Sequence, residues 1–256
     1  MSFTLAFLVA AIISFLAFKR EMLSVSGMIA ATVVGGAVFG FGGWSASALL
    51  MMFFLSGSLL GKLNEPKGDR RDWKQVVCNG AIPAIAVTVI YFRHDLREEF
   101  TLLFLGALAT ATADTWATEI GIRFGRRTYN IFTFRETTKG LSGGVSVAGL
   151  AASIVASFAI ASTSMVQFSQ SDSLCGLVLV KVIPVITIAG TVGALLDSII
   201  GATLQVKYKL LDGTISELST EGGSRISGVR FIGNNATNLI ATLWGGLLAV
   251  WLSGVL

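Results

Sequence analysis

Charge, histidine, cysteine and proline are all scarce in this sequence. Only 13% of the 256 residues are charged, compared with about a quarter in a typical soluble domain, so a soluble globular protein is excluded. The single histidine, His94, cannot form a multi-histidine metal site. Cys78 and Cys175 lie in or beside apolar runs, so neither a disulfide framework nor a thiolate metal site is indicated.

Hydrophobic residues are abundant instead, at 53% of the chain with a mean hydropathy of +0.75. The 29 glycines suit closely packed transmembrane helices. Apolar runs of near-spanning length or more lie at roughly 2–18, 25–43, 45–61, 76–92, 100–121, 143–162, 174–204 and 230–253. They predict an all-α, polytopic transmembrane helical bundle of about eight (seven to eight) helices, forming a single domain over residues 1–256.

Two of these runs depart from a simple, separate membrane span. Little more than GFGGW separates the second run from the third, which predicts a tight hairpin. The seventh run is interrupted by Lys181, Pro184 and two glycines, and the sequence leaves open whether this helix is continuous or broken.

The basic residues predict the orientation of the bundle. With the N-terminus outside, sixteen of the nineteen Lys and Arg residues fall on the inner side of the membrane. This distribution follows the positive-inside rule, so topology explains the net charge of +4 without nucleic acid. The predicted cytosolic loops are about 62–75, 122–142 and 205–229.

Ionisable residues occur near the inner ends of two predicted helices. The segment TATADTWATEIG contains Asp114 and Glu119, and GALLDSIIGATLQ contains Asp197. An ionisable side chain near the bilayer centre costs roughly 2.5–3.5 kcal/mol on insertion scales, which favours a functional role. Both aspartates lie about 10 Å from the inner end of their helix at 1.5 Å of rise per residue.

Other polar segments reach the same depth. Asn234 and Asn238 lie one turn apart at the start of the last helix, and Asn79 lies near the start of the fourth. The turn KGLSGGVS, which contains Gly143 and Gly144, opens the sixth helix from inside. Separate segments therefore deliver carboxylates, carboxamides and a flexible turn to one level of the membrane.

This combination favours phosphoryl transfer. The three carboxylates are candidate catalytic residues and Mg²⁺ ligands, because Mg²⁺ prefers oxygen ligands and usually takes one or two carboxylates plus phosphates. Backbone N–H groups of the Gly143–Gly144 turn can bind phosphate oxygens, and Arg71 and Lys139 are candidate cationic contacts to a polyphosphate. Asparagines can hold substrate oxygens, water or metal without adding charge.

The motifs also resemble those of a known family. The segments RDWKQVVCNGAIP, ADTWATEIG, GGVSVAGL, GALLDSIIGATLQ and GNNATNL are similar to those of the integral membrane family that includes the plant chloroplast phytyl-phosphate kinases. The resemblance runs from about residue 20 to the C-terminus. It places the following motif residues in the site: Asn79, Asp114, Glu119, Asp197, Gln205, Asn234, Asn235 and Asn238.

This resemblance implies a prenyl-phosphate kinase. Such an enzyme phosphorylates an isoprenoid monophosphate of phytyl or geranylgeranyl type to the diphosphate, using a nucleoside triphosphate, expected to be CTP, with Mg²⁺. The sequence departs from the family at Leu141, where a threonine is usual. The loop after Gln205 contains no Cys-x-x-Cys, and we expect a β-hairpin there that turns at Asp212-Gly213.

Other functions remain open on the sequence alone. A kinase for free polyprenol or phytol would need Glu119 or Asp197 as a general base. A transporter of an anionic substrate would also use intramembrane carboxylates, and an assembly factor would neither turn over nor bind nucleotide. We expect an integral protein of a bacterial or archaeal inner membrane, or of a plastid-type membrane, with its active site on the cytosolic side. Isoprenoid length, nucleotide preference and homodimer formation are left open.

Overall fold

A computed structural model of the chain describes residues 2–64, 70–168, 177–217 and 223–254. Within these ranges, seven α-helices contain most of the residues. They are α1 (Phe3–Lys19), α2 (Val25–Asn64), α3 (Trp73–Phe92), α4 (Arg97–Phe124), α5 (Val147–Phe168), α6 (Leu177–Thr203) and α7 (Asn234–Ser253). Parts of the predicted loops 62–75 and 205–229, and the first residues of the seventh apolar run, lie outside the described residues.

The helices confirm a polytopic helical membrane protein. Six of those described, α2 to α7, are long and apolar enough to cross a bilayer, and α1 is a shorter apolar helix of 17 residues. Large apolar side chains such as Leu8, Ile29 and Leu59 are exposed on the outside of the bundle. Lipid can cover these side chains at no hydrophobic cost.

The second and third predicted helices are the two halves of α2. The chain reverses at Gly43, whose φ of 69° and ψ of −160° are not helical. A Cβ added to Gly27, in the first half, would lie 2.0 Å from the Arg71 carbonyl oxygen. A Cβ on Gly57, in the second half, would lie 2.6 Å from Arg71 Nη2. Because both halves return to Arg71, the predicted hairpin is present, with one glycine as its joint.

Helix α4 lies at the centre of the bundle and packs against α2, α3, α5, α6 and α7. Its middle is rich in small residues, which lets neighbouring backbones approach closely. A Cβ on Gly106 would lie only 2.6 Å from the Gly245 carbonyl oxygen of α7. Around this contact, Phe104 and Leu108 pack with Ile160 and other apolar side chains in one core.

Several helix ends meet at one end of the bundle, which we call the carboxylate end. There α4 and α6 finish, and α3, α5 and α7 begin. Helix α3 starts with a capping box in which Asp72 Oδ1 accepts from the Gln75 N–H at 2.9 Å and Gln75 Oε1 accepts from the Asp72 N–H at 3.0 Å. This cap fixes the chain direction immediately after Arg71.

Five short strands lie at the carboxylate end: β1 (Tyr129–Asn130), β2 (Gly144–Val145), β3 (Lys207–Lys209), β4 (Ile215–Ser216) and β5 (Ser224–Ser227). Antiparallel pairing of β1 with β2 draws the glycine-rich turn out of the helix, so α5 begins at Val147 rather than at residue 143. The expected turn at Asp212-Gly213 does join β3 to β4, with Gly213 at φ 85°. Strand β5 pairs with the other edge of β3. Helix α6 continues through Pro184 as one helix.

Candidate active site

Asp114 of α4 and Asp197 of α6 meet at the carboxylate end, where their side chains lie within hydrogen-bonding distance of each other. The contact arises from close packing one helical turn earlier. A Cβ on Gly193 would lie 2.4 Å from Thr110 Oγ1, so the two helices nearly touch at that level. Each aspartate follows its contact residue by four positions, which places both side chains on the facing sides of the helices.

Helix α7 supplies amides beside this pair. With its amide nitrogen turned toward acceptors, Asn238 donates to Asp197 Oδ1 at 3.0 Å and to the Asn234 carbonyl oxygen at 3.1 Å. Asn235 lies near α3, where its Oδ1 is 3.7 Å from Cys78 Sγ. The first turn of α7 therefore brings one asparagine into contact with Asp197 and places two more, Asn234 and Asn235, at the same cavity.

The carboxylates open into a polar cavity of about 480 Å³. Residues from α4, the glycine-rich turn, α5, α6, the β4 end and the start of α7 line it. They include Asp114, Thr118, Ser142, Asp197, Glu217 and Asn234. This volume lies within the range of about 300–1,000 Å³ that is usual for small-molecule sites.

The glycine-rich turn forms one wall of the cavity. Gly143 has a φ of 86°, and a Cβ there would lie 2.6 Å from the Ala202 backbone of α6. A Cβ on Gly201 would in turn lie 3.1 Å from the Gly143 nitrogen. Glycine is needed on both sides of this contact, which brings the turn to within one helical turn of Asp197.

A small polar cluster closes the side of the cavity beneath the β3–β4 hairpin. Glu217 accepts from the Ser142 N–H at 2.6 Å and from Gln205 Nε2 at 2.7 Å. Lys207 Nζ donates to the Ser142 carbonyl oxygen at 3.1 Å. Burial lowers the pKa of Lys207, and the negative charge of Glu217 acts in the opposite direction. The cluster joins the hairpin to the glycine-rich turn.

Comparison with known proteins identifies the family. Residues 8–246 match the model of a family described as integral membrane protein DUF92. The chain belongs to this DUF92 family. Protein PGR of Arabidopsis thaliana is 31% identical over 93% of this chain and 91% of that protein. An uncharacterised membrane protein of Methanocaldococcus jannaschii is 26% identical over 95% and 91%. The chloroplastic protein VTE6 of Arabidopsis thaliana is 24% identical over 89% of this chain and 64% of its own length.

Family membership confirms the resemblance seen in the motifs. No solved structure matches the chain.

The DUF92 motif residues do not all converge. Asp114 and Asp197 meet, with the α7 asparagines around them, but Glu119 lies on another face of α4. Asn64 of α2 donates from Nδ2 to Glu119 Oε2 at 2.6 Å and to its carbonyl oxygen at 2.8 Å. Among the described residues no group of three or more His, Cys, Asp or Glu is placed to hold a metal ion. The expected cluster of three carboxylates is thus a pair plus one separate residue.

The remaining candidates lie at different distances from the pair. Gln205 is fully buried and bonds to Glu217 rather than lining the cavity. Asn79 is buried and donates to the Gln75 carbonyl oxygen of its own helix at 3.0 Å. Lys139 is exposed beside Gly140, which does line the cavity.

Arg71 lies on the α2 side of α4, where Glu119 is the carboxylate that interacts with its charge. The same Cβ position on Gly57 would lie 2.6 Å from Arg71 Nη2 and 2.8 Å from Thr115 Cγ2. Thr115 directly follows Asp114. The Arg71 guanidinium therefore approaches α4 on the face that carries Thr115 and Glu119, one residue along the helix from Asp114.

Glu217 was not among the residues singled out by the sequence. It belongs to none of the motif segments, and only the fold of the β3–β4 hairpin brings it to the cavity. The proximity of Cys78 to both aspartates is likewise visible only in the packed structure.

The donor set of the pair suits a hard divalent cation. Two ionised carboxylates in contact repel each other unless a proton or a cation lies between them. Mg²⁺ commonly takes one or two carboxylates and completes its shell with phosphates and water. Asp114 and Asp197, with asparagine oxygens nearby, fit such an ion.

Proposed function

We propose that this protein is a membrane-embedded phosphotransferase that converts an isoprenoid monophosphate into the diphosphate, with CTP as donor and Mg²⁺ as cofactor. The contact between Asp114 and Asp197, at the wall of a polar cavity inside a bundle of apolar helices, carries the proposal. A lipid-soluble acceptor can reach this level from the bilayer, and a soluble nucleotide can reach it from the carboxylate end. The family resemblance supports the same reaction class.

In this reaction a phosphate oxygen of the acceptor attacks the γ-phosphorus of the nucleotide. The bond between that phosphorus and the β–γ bridging oxygen breaks, and its electron pair leaves with the nucleoside diphosphate. The acceptor phosphate is already anionic at neutral pH, so no general base has to remove a proton. Positioning and charge neutralisation therefore account for most of the catalysis.

The residues of the cavity have distinct tasks in this scheme. Asp114 and Asp197 would hold Mg²⁺, whose charge would offset that of the nucleotide phosphates. The N–H groups of the glycine-rich turn bind phosphate oxygens. Asn234 and Asn235 orient the triphosphate, and Asn238 fixes the position of Asp197. Arg71 offsets the charge of the acceptor phosphate.

The closed packing above the pair favours an enzyme over a transporter. Between Thr110 and the far end of α4, the apolar residues Phe104, Leu105 and Leu108 are buried in the main core. The polar cavity lies only at the carboxylate end of the described structure. A transport path would need polar access through this core as well.

The purified full chain, incubated with geranylgeranyl monophosphate, Mg²⁺ and γ-labelled CTP, tests the proposal. We expect label in geranylgeranyl diphosphate, and none when the free alcohol replaces the monophosphate. Label transfer to the alcohol would show instead that the protein is a kinase for the free alcohol. Absence of transfer to both acceptors across CTP, ATP, GTP and UTP, with the protein shown to be folded, would overturn it.

A further inference from the structure

A second cavity, distinct from the polar one, lies between α1, the two halves of α2 and α3. It has a volume of about 260 Å³. Its walls are almost entirely apolar and include Val9, Ile13, Val34, Phe39, Met51 and Phe54. Along α2 it extends from Trp44 to Phe54, which is about 15 Å at 1.5 Å of rise per residue.

This apolar cavity ends at the carboxylate end of the bundle, on Arg71 and Gln75. The Arg71 guanidinium lies over the rings of Phe53 and Phe54, 5.3 and 5.8 Å from their centroids. In the described ranges of the chain, its side chain has no hydrogen bond or ion pair. The carboxylate of Glu119 supplies a negative charge nearby without bonding directly to Arg71. A partly buried guanidinium with no direct hydrogen bond can still donate two parallel hydrogen bonds to a phosphate.

Arg71 connects the apolar cavity to the helix that carries Asp114. It lines the apolar cavity, and its Nη2 reaches Gly57 beside Thr115, next to Asp114 of the polar one. A molecule with its chain in the apolar cavity and its anionic head on Arg71 would therefore place that head against α4, within one residue of Asp114 along the helix.

We infer that the apolar cavity binds the isoprenoid chain of the acceptor and that Arg71 binds its monophosphate. The inference rests on the proposed function for the identity of the ligand. The charge of Arg71 matches an anionic head, and the long single cavity matches one unbranched path of prenyl units. A membrane phospholipid also has apolar chains and a phosphate, but it carries two chains, and its phosphate is an internal diester rather than a terminal group.

Photo-crosslinking tests this binding site without requiring turnover. The full chain in detergent would be illuminated with a twenty-carbon isoprenoid monophosphate that carries a diazirine at its far end, and the modified peptides would be identified by mass spectrometry. We expect modification of Val9, Val34, Phe39 or Trp44, which line the part of the cavity away from Arg71. Excess geranylgeranyl monophosphate should abolish this labelling, whereas excess phosphatidylglycerol should not. Labelling confined to other helices, or competition by phosphatidylglycerol alone, would overturn the inference.

Separate substitutions test the site for the isoprenoid chain and the site for the phosphate: Ala48→Phe for the chain and Arg71→Gln for the phosphate. Ala48 lines the cavity, and Ala48→Phe should fill its middle and raise the KM for a twenty-carbon acceptor about tenfold. A ten-carbon acceptor should change less than about twofold. Ala151→Phe makes the same change at an exposed position on α5 and should leave both values unaltered. An equal effect of Ala48→Phe on both acceptors would count against the cavity.

Arg71→Gln should weaken labelling by the monophosphate about tenfold but leave labelling by the free alcohol unchanged. The outcomes also separate this inference from the proposed function. Crosslinks in the cavity without phosphoryl transfer would disprove the proposed function but support the binding site. Phosphoryl transfer with crosslinks elsewhere would disprove the binding site but support the proposed function.

Discussion

The meeting of Asp114 and Asp197 is costly for folding, because it places two acidic groups together among apolar helices. The chain accepts this contact where Gly193 allows α4 and α6 to approach. Such a cost in folding free energy is expected where the two groups bind a ligand together and do not serve to stabilise the fold.

Asp114→Asn and Asp197→Asn should each lower the rate of phosphoryl transfer by at least about 100-fold, because each would remove a negative charge from the proposed cation site. Neither should lower the thermal unfolding temperature, since both relieve repulsion between the carboxylates. Label transfer and thermal unfolding in detergent check the two parts. Asp95→Asn is the matched control, because Asp95 is exposed and pairs with Arg93 at the opposite end of the bundle. Activity near the wild-type level in both active-site variants would contradict the assigned role.

Gly143 and Gly213 have similar backbone conformations but different surroundings, so their substitution by alanine can be compared. Both have positive φ, at 86° and 85°. A Cβ on Gly143 meets α6 at 2.6 Å, whereas none of the protein lies within 4 Å of a Cβ on Gly213. Gly213→Ala should cost about 1–2 kcal/mol of unfolding free energy from backbone strain alone. Gly143→Ala should cost roughly 1–3 kcal/mol more from overpacking and should also reduce turnover. Equal losses of stability would show that the turn is not held against α6 as described.

At the scale of elements, the β3–β4 hairpin and the glycine-rich turn form one unit through Glu217. The Glu217 carboxylate accepts from the Ser142 N–H, which is a group that a nucleotide phosphate could also use. The hairpin therefore places a negative charge where a negative ligand would bind, and the two compete.

Glu217→Gln should lower the KM for the nucleotide about fivefold with little change in kcat, because one unit charge at about 4 Å is worth roughly 1 kcal/mol in water. Initial rates at varied CTP concentration measure both parameters. Asp212→Asn, at the exposed tip of the same hairpin, should change neither. A rise in the nucleotide KM for Glu217→Gln would instead assign Glu217 to ligand positioning.

At the scale of the whole molecule, the carboxylate end contains most of the loops that carry basic residues. The positive-inside rule predicts that this end lies in the cytosol. With Cys78 and Cys175 replaced by serine, Arg126→Cys should react with a membrane-impermeant maleimide only after right-side-out vesicles are permeabilised. Arg97→Cys, at the opposite end, should react in intact vesicles. The reverse pattern would invert the topology and move nucleotide access to the outer side.

The sequence predicts the helices well because spanning length and apolar composition are local properties. It also predicts the turn at Asp212-Gly213, since that dipeptide suits positive φ. The sequence does not predict how β1 draws Gly144 into a strand, because two-residue strands have no pattern of their own.

The site is harder to predict from the sequence than the fold. Asp114 and Asp197 could be selected because charge is rare in apolar runs. The position of Glu119 depends on which neighbour faces each side of α4, and here Asn64 of α2 binds it. The position of Glu217 depends on tertiary packing of a hairpin. Such contacts between distant segments leave no mark in local composition.

Gly43 has a consequence for what the protein presents to its surroundings. One residue joins the halves of α2, so almost no chain projects between them at the end of the bundle remote from the carboxylates. A protease or an antibody approaching that surface would find no extended segment to grip between residues 25 and 64. Trp44, largely exposed beside the joint, is left at the depth where indole rings anchor a protein to the bilayer surface.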